Sequence, residues 1–359
     1  MSRNARFYAA KSKFAAWLPG LLLPLLALGQ APATNSFLFR ERAGARARVV
    51  IVHDPEATDA FQPRAEKIPA MVSRALTNLT GKASSAAAWR SLFPTQDVIG
   101  IKVYSAPGPA SGTRPAVVAA VVEGLLAAKI PATNIIIWDR DRADLRRAGF
   151  VDLAVRYGVR VEGGAEAGYD EATFYSPDSA VLGQLIWGDL EFGRRGDGIG
   201  RRSFVSKLVS QQMTKIINIT PLLNHNSAGV SGNLYSLALG SVDNFLRFEG
   251  DPARLANAVP EIYALPALGD RVALNIVDAL LCQYQGEHIT RLHYSTALNE
   301  LRFSTDPVAL DVLSLLELDR QRKAAQTFSP TNNLELYKNA SLLELGVSSP
   351  ENIQIERVQ

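Results

Sequence analysis

"QDVIGIKVYSAPGPASGTRPAVVAAVVEGLLAAKIPATNIIIWDR", residues 96–140, carries a strand–helix–strand pattern. Its two ends, "QDVIGIKVY" (96–104) and "NIIIWDR" (134–140), are short β-branched runs with polar borders, as in buried strands. Between them Val117, Val118, Val121, Val122, Leu125 and Leu126 recur at helical spacing. Pro115 suits the first turn of that helix and Thr113 stands where a cap is expected. Two buried strands joined through one helix form the unit from which parallel sheets are built.

Upstream, "ARVVIVHD" (47–54) reads as another strand, expected beside 96–104. "RADLRRAGF" reads as a short helix with Gly149 past its end, and "YGVRVEG" as a further strand. The second half continues with a strand at 215–223, a short helix near 232–239 and a strand at 273–281. A helix at 304–322 follows, capped by Asp306 with Pro307 at its first position. The tail reads as helix, glycine turn and final strand. The expected fold class is α/β: a mostly parallel or mixed sheet with helices on both faces, in one body or in two lobes, roughly 47–205 and 206–359. Such sheets bind ligands beyond the carboxyl ends of their strands.

Residues 1–29 hold a basic start, Arg3, Arg6, Lys11 and Lys13, and then an apolar run from Phe14 to Gly29 interrupted by Pro19 and Pro24. This is the pattern of a secretory signal peptide, or of a membrane anchor if uncleaved, with 30–46 as a polar spacer before a domain at 47–359. A periplasmic or secreted location follows as an expectation. Without the leader's basic residues, 34 Lys and Arg face 35 Asp and Glu. The body therefore lacks the basic footprint of a nucleic-acid binder, and no membrane contact beyond the leader is expected. Cys282 is the chain's one cysteine, which excludes a cysteine-ligated iron–sulfur cluster and fits a buried structural thiol. The segment 165–205, with "FGRRGDGIGRR", reads as a solvated connection in which an anion-binding glycine loop is the alternative.

Several polar residues fall at predicted strand ends: Lys102, Asp139 and Arg140, Asn224 and His225, and Asp278 within "NIVDALL". A charge in such apolar surroundings needs a partner or a site, and Lys102 paired with Asp139 or Asp278 is the structural reading. The functional reading makes His225 a general acid or base and Lys102 an electrostatic stabiliser. Asn224, Asn226, Ser231, Arg140 and Asp243 would then bind ligand. Asp139, Asp278 and Asp306 are oxygen donors suited to a divalent cation. No HxH or HxxxH spacing joins His225 to His53, His288 or His293, so a zinc site is disfavoured. In "SAGVSGNLY", Gly229 or Gly232 permits positive φ or close backbone approach, and Ser231 could cap the following helix, whose amino end would attract an anion. No G-x-G-x-x-G follows a strand, which weakens a nicotinamide oxidoreductase.

"VIGIKVY", "RPAVVAAVVEGLLAAKIPATNIIIWDRDRADLRRAGF", "SAGVSGNLYSLALGSVDNFLRF", "IVDALL", "STDPVALD" and "LLELGVSSPENIQIERV" together, in this order, resemble the DUF362 family of uncharacterised bacterial and archaeal proteins. The resemblance runs from about residue 47 to the end. It implies no assigned activity. Some relatives carry a cysteine-rich ferredoxin-like segment, which this chain does not share. His225, Gly229, Gly232, Asp243, Asp278, Asp306 and Asp311 match the family pattern. Two lysines of that pattern are replaced, one by Leu223 or Asn224 and the other within Tyr235-Ser236. The expectation is a protein that binds a small polar or anionic ligand, with or without a divalent cation. A non-catalytic periplasmic binding or interaction protein is the alternative, and oligomeric state is open.

Overall fold

A computed structural model describes residues 46–177, 184–330 and 332–359. The signal-peptide reading lies outside these residues. β1 (Ala47–His53) leads through a two-stranded hairpin, β2 (Thr58–Asp59) and β3 (Gln62–Pro63), to helices α1 (Ile68–Thr80) and α2 (Ser85–Leu92). The stretch 96–140 folds as read, giving β4 (Ile99–Val103), α3 (Pro115–Ala127) and β5 (Ile135–Asp139). One detail differs. Thr113 does not cap α3, because its hydroxyl donates to the Ile219 carbonyl at 2.7 Å and accepts from the Tyr104 amide at 2.9 Å, tying two strands together.

After β5 come α4 (Arg142–Arg147), α5 (Phe150–Tyr157), β6 (Arg160–Gly163) and the single turn α6 (Gly164–Ala167). Gly149, at φ 88°, ends α4 and starts α5, a helix not separated in the sequence reading. The 165–205 segment departs further from a solvated connection. It holds the hairpin β7 (Tyr169–Tyr175) and β8 (Ser203–Ser206), and buries Asp189 and Glu191. β9 (Lys215–His225), the short β10 (Gly229–Val230), α7 (Asn233–Gly240), α8 (Pro252–Tyr263), β11 (Val272–Gln283), β12 (Ser295–Ser304), α9 (Pro307–Ala324), α10 (Leu334–Leu342) and β13 (Ile353–Val358) complete the chain order.

The main sheet runs β13-β1-β12-β11-β9-β4-β5-β6, with β10 folded back on β9. β11, β9, β4, β5 and β6 are mutually parallel, β12 is antiparallel to both neighbours, and β13 is parallel to β1. β1 therefore lies between β12 and β13, not beside β4 as its position in the chain suggested. Because β4 pairs with β9, the halves 47–205 and 206–359 share one continuous sheet. The β11–β9 register slips between Asp278 and Cys282, opposite Pro221 and Leu222. Proline offers no amide to a ladder, so a slip there is expected.

Each face of the sheet is covered. Val50, Val52, Ile99, Ile101, Ile135 and Ile137 point to one core, shared with Met71 and Leu76 of α1, Trp89 of α2 and Val121 and Leu125 of α3. Ile136, Trp138, Ile216 and Val277 point to the other, shared with Leu234 and Leu237 of α7, Val259 of α8 and Leu315 of α9. This is an α/β fold of two helical layers around a mainly parallel sheet. Among the described residues, no helix is long and apolar enough to cross a membrane.

Candidate functional site

Period-two alternation along β4 sends Ile101 and Val103 to one face and Lys102 to the other, beneath α7. Lys102 is fully buried, and its ammonium meets Asp139 Oδ1 at 2.8 Å, the Val103 carbonyl at 2.8 Å and Ser236 Oγ at 3.2 Å. Asp139, the last residue of β5, accepts the Ser105 amide and hydroxyl on Oδ2 and the Arg140 amide on Oδ1. The structural pairing read from the sequence is thus formed by Lys102 and Asp139. α7 can lie this close because it ends in Gly240, where a Cβ would stand 2.7 Å from Lys102 Cε.

This ion pair forms the floor of a cleft of about 160 Å³ at the carboxyl ends of β4 and β5. Tyr104, Arg140, Tyr235, Ser236 and Phe245 form much of its wall. Arg140 lies with its guanidinium 3.6 Å from the centre of the Phe245 ring. Its Nε is buried with no acceptor, and among the described residues no carboxylate forms an ion pair with its side chain. Asp141 and Asp144 also line the cleft. Asp144 is paired with Arg147, and burial holds the Asp141 carboxyl above its ordinary range despite Arg140. The Tyr104 hydroxyl is pushed up by burial and stays neutral.

His225 stands outside this lining, behind Tyr235, with ring centres 4.2 Å apart. Nδ1 accepts the Ser227 amide at 3.3 Å and the Ala228 amide at 3.1 Å, so the proton of the neutral ring sits on Nε2. Nε2 faces Glu249 Oε2 at 3.9 Å, and the other Glu249 oxygen accepts the Tyr235 hydroxyl at 2.6 Å. Burial lowers the imidazole to about 4. An ordinary value of 6.5 in the unfolded chain makes its stabilising share full above pH 6.5 and lost as pH falls toward 4. Asp243 and Asp311, each raised to about 6 by burial, act with opposite sign and favour the fold below that pH. A comparison of His225→Gln with wild type at each pH isolates the histidine. Between pH 7 and pH 4 the wild type is expected to lose on the order of 3 kcal/mol that the variant keeps. Urea denaturation across that range measures it, and equal losses in both proteins would contradict the assignment.

The other residues singled out in the sequence are occupied locally. Asn224 is buried and accepts the Glu287 amide, and Asn226 is exposed, its amide donating to the Glu287 carboxylate. Ser231 does not cap α7, since its hydroxyl donates to the Asn224 carbonyl. The amino end of α7 is filled by the buried Asp311 carboxylate, which accepts the Asn233 amide at 2.6 Å and the Leu234 amide at 2.9 Å. No external anion is needed there. Gly232 makes room for that carboxylate, because a Cβ would stand 2.2 Å from its Oδ1, while Gly229 takes φ 91°. Asp243 accepts the Leu190 and Phe204 amides.

The aspartates proposed as cation ligands serve three different purposes. Asp139 holds Lys102, Asp278 pairs with Arg114 at 2.9 Å, and Asp306 caps α9 through the Ala309 amide while accepting the Val347 amide. Among the described residues, no three His, Cys, Asp or Glu side chains come together as a metal site. The residues present do not fit the divalent cation that the sequence allowed. Cys282 is buried and its thiol is pushed up to about 12 by burial, as a structural thiol should be. Sequence reasoning missed Tyr104, Tyr235, Phe245 and Glu249 as parts of this region. The first is the last residue of a predicted strand, a usable signal, whereas Phe245 lies in a single 3-10 turn and Glu249 in a turn, without one.

No protein-family model and no curated protein matches the chain. A crystal structure of a Thermotoga maritima protein aligns with 75% of this chain at a TM-score of 0.40 and 12% identity. This chain spans 61% of that protein's length. So remote a likeness assigns neither a family nor an activity.

Proposed function

We propose that this is an exported, DUF362-like protein that binds a small anionic ligand in the cleft above Lys102 and Asp139. The observation that carries the reading is the Arg140 guanidinium, stacked on Phe245 in a concave site and, among the described residues, without a carboxylate partner. A planar guanidinium offers five donors in a geometry matched to carboxylate or phosphate. The cleft also sits where open α/β sheets bind their ligands, beyond the carboxyl ends of adjacent parallel strands.

Binding without turnover is favoured over catalysis by the state of the titratable groups. Lys102 spends its donors inside the protein, Asp139 spends both oxygens, and Tyr104 is neutral. His225, the sequence candidate for acid–base work, is neutral and screened by Tyr235. Export rests on the leader pattern alone, and the family on the ordered motifs.

Thermal unfolding in the presence of inorganic phosphate, acetate, malonate and citrate tests the reading. At a hundredfold excess over its dissociation constant a bound anion adds roughly 2.7 kcal/mol, a midpoint rise of roughly 5 °C. At least one of these anions is expected to raise the wild-type midpoint and leave that of Arg140→Gln unchanged. Equal shifts in both proteins, or none in either, would contradict it.

A further inference from the structure

Residues 184–202 sort their charges by side. The acidic groups Asp189 and Glu191 turn inward: Asp189 accepts the Ile186 and Asn244 amides, and Glu191 accepts the Gly200 amide at 2.8 Å. Asp243 accepts the Leu190 amide, and the Asn244 side chain donates to the Gly200 and Arg202 carbonyls. The segment is thereby fixed onto the chain at 243–244. The groups left outside are of another kind. Trp187 is 86% exposed and Phe192 49% exposed, within three positions of Asp189 on either side. Arg194, Arg195, Arg201 and Arg202 are also exposed, against one exposed acid of the same segment, Asp197.

A fixed loop that buries two of its three acids and displays indole, phenyl and guanidinium groups has the chemistry of a bilayer interface, where aromatic rings sit at headgroup level and cations meet anionic lipid. We infer that this loop seats the protein on an anionic bilayer surface. The rest of the body is close to charge-neutral, so the attraction is local to the loop. Phe245, adjacent to the Asn244 anchor, carries Arg140, which places the seat next to the ligand cleft. The inference stands independently of what the cleft binds.

The test is co-sedimentation of the full chain with vesicles of phosphatidylcholine alone and of phosphatidylcholine with 30% phosphatidylglycerol. Binding is expected only to the anionic vesicles, reduced at least fivefold in 0.5 M salt. Trp187→Ser with Phe192→Ser, and separately Arg201→Glu with Arg202→Glu, should each lower the bound fraction at least fivefold while thermal unfolding stays as in wild type. Trp89 and Trp138 are fully buried and Trp17 of the leader is present in both proteins, so the part of a blue shift of emission on binding that disappears in the Trp187→Ser variant reports the loop. Equal binding to both vesicle types would overturn the inference. So would binding that both variants retain, which would assign the contact to the leader, or binding of an oligonucleotide but not of vesicles.

Discussion

Asp278→Ala is expected to destabilise the protein by about 3–5 kcal/mol, the cost of leaving a buried cation without its counter-ion. Arg114 and Asp278 have side chains 3% and 0% exposed, and their charged atoms lie 2.9 Å apart. Asp278 also accepts the Arg114 amide at 3.0 Å, which fixes the residue that opens α3. The loss would therefore reach both the β11 strand and the α3 entry. A fall of roughly 10 °C in the unfolding midpoint is the readout. Replacing both partners, Arg114→Met with Asp278→Leu, should cost far less, because no uncompensated charge remains. A single variant within about 1 kcal/mol of wild type would show that the pair is not formed as described.

The second large effect concerns the floor of the cleft. Asp139→Ala strands the Lys102 ammonium with two neutral acceptors and leaves the Ser105 and Arg140 amides without theirs. A loss of about 3–5 kcal/mol is expected again. Here a double-mutant cycle is the sharper measurement. Lys102→Met and Asp139→Asn, singly and together, should couple by about 2 kcal/mol, since each removes the other's partner. Additive costs would mean that Lys102 and Asp139 act separately, and would free Lys102 for the electrostatic role that its position first suggested.

Much of the fold was legible because burial leaves simple marks. Strands covered on both faces, such as β4 and β5, read as short runs rich in isoleucine and valine, and Asp306-Pro307 announced the start of α9. The same Asp–Pro signature opens α8, where Asp251 accepts the Ala253 and Arg254 amides. That helix was missed because Pro260 stands inside it and breaks the expected pattern. The place of β1 was not legible, because the choice between β4 and β12 depends on long-range pairing and not on any local residue preference.

The site was legible to a similar depth. A lysine and an aspartate inside apolar strands had to be paired, and they pair with each other. Which of the other polar residues face the cleft depends on α7, whose register at Tyr235 and Ser236 no periodicity reveals. The helix start beside His225 promised an anion site. The chain had supplied its own anion from α9, Asp311, across 78 positions of sequence.

On the proposed reading, Arg140 holds an anion in the cleft. Liquid chromatography and mass spectrometry of the small molecules released on denaturing purified protein test it most directly. Wild type should release a small carboxylate or phosphate compound in near-equimolar amount, which the equally folded Arg140→Gln variant lacks. The same compound released in equal amount from both proteins would contradict the account.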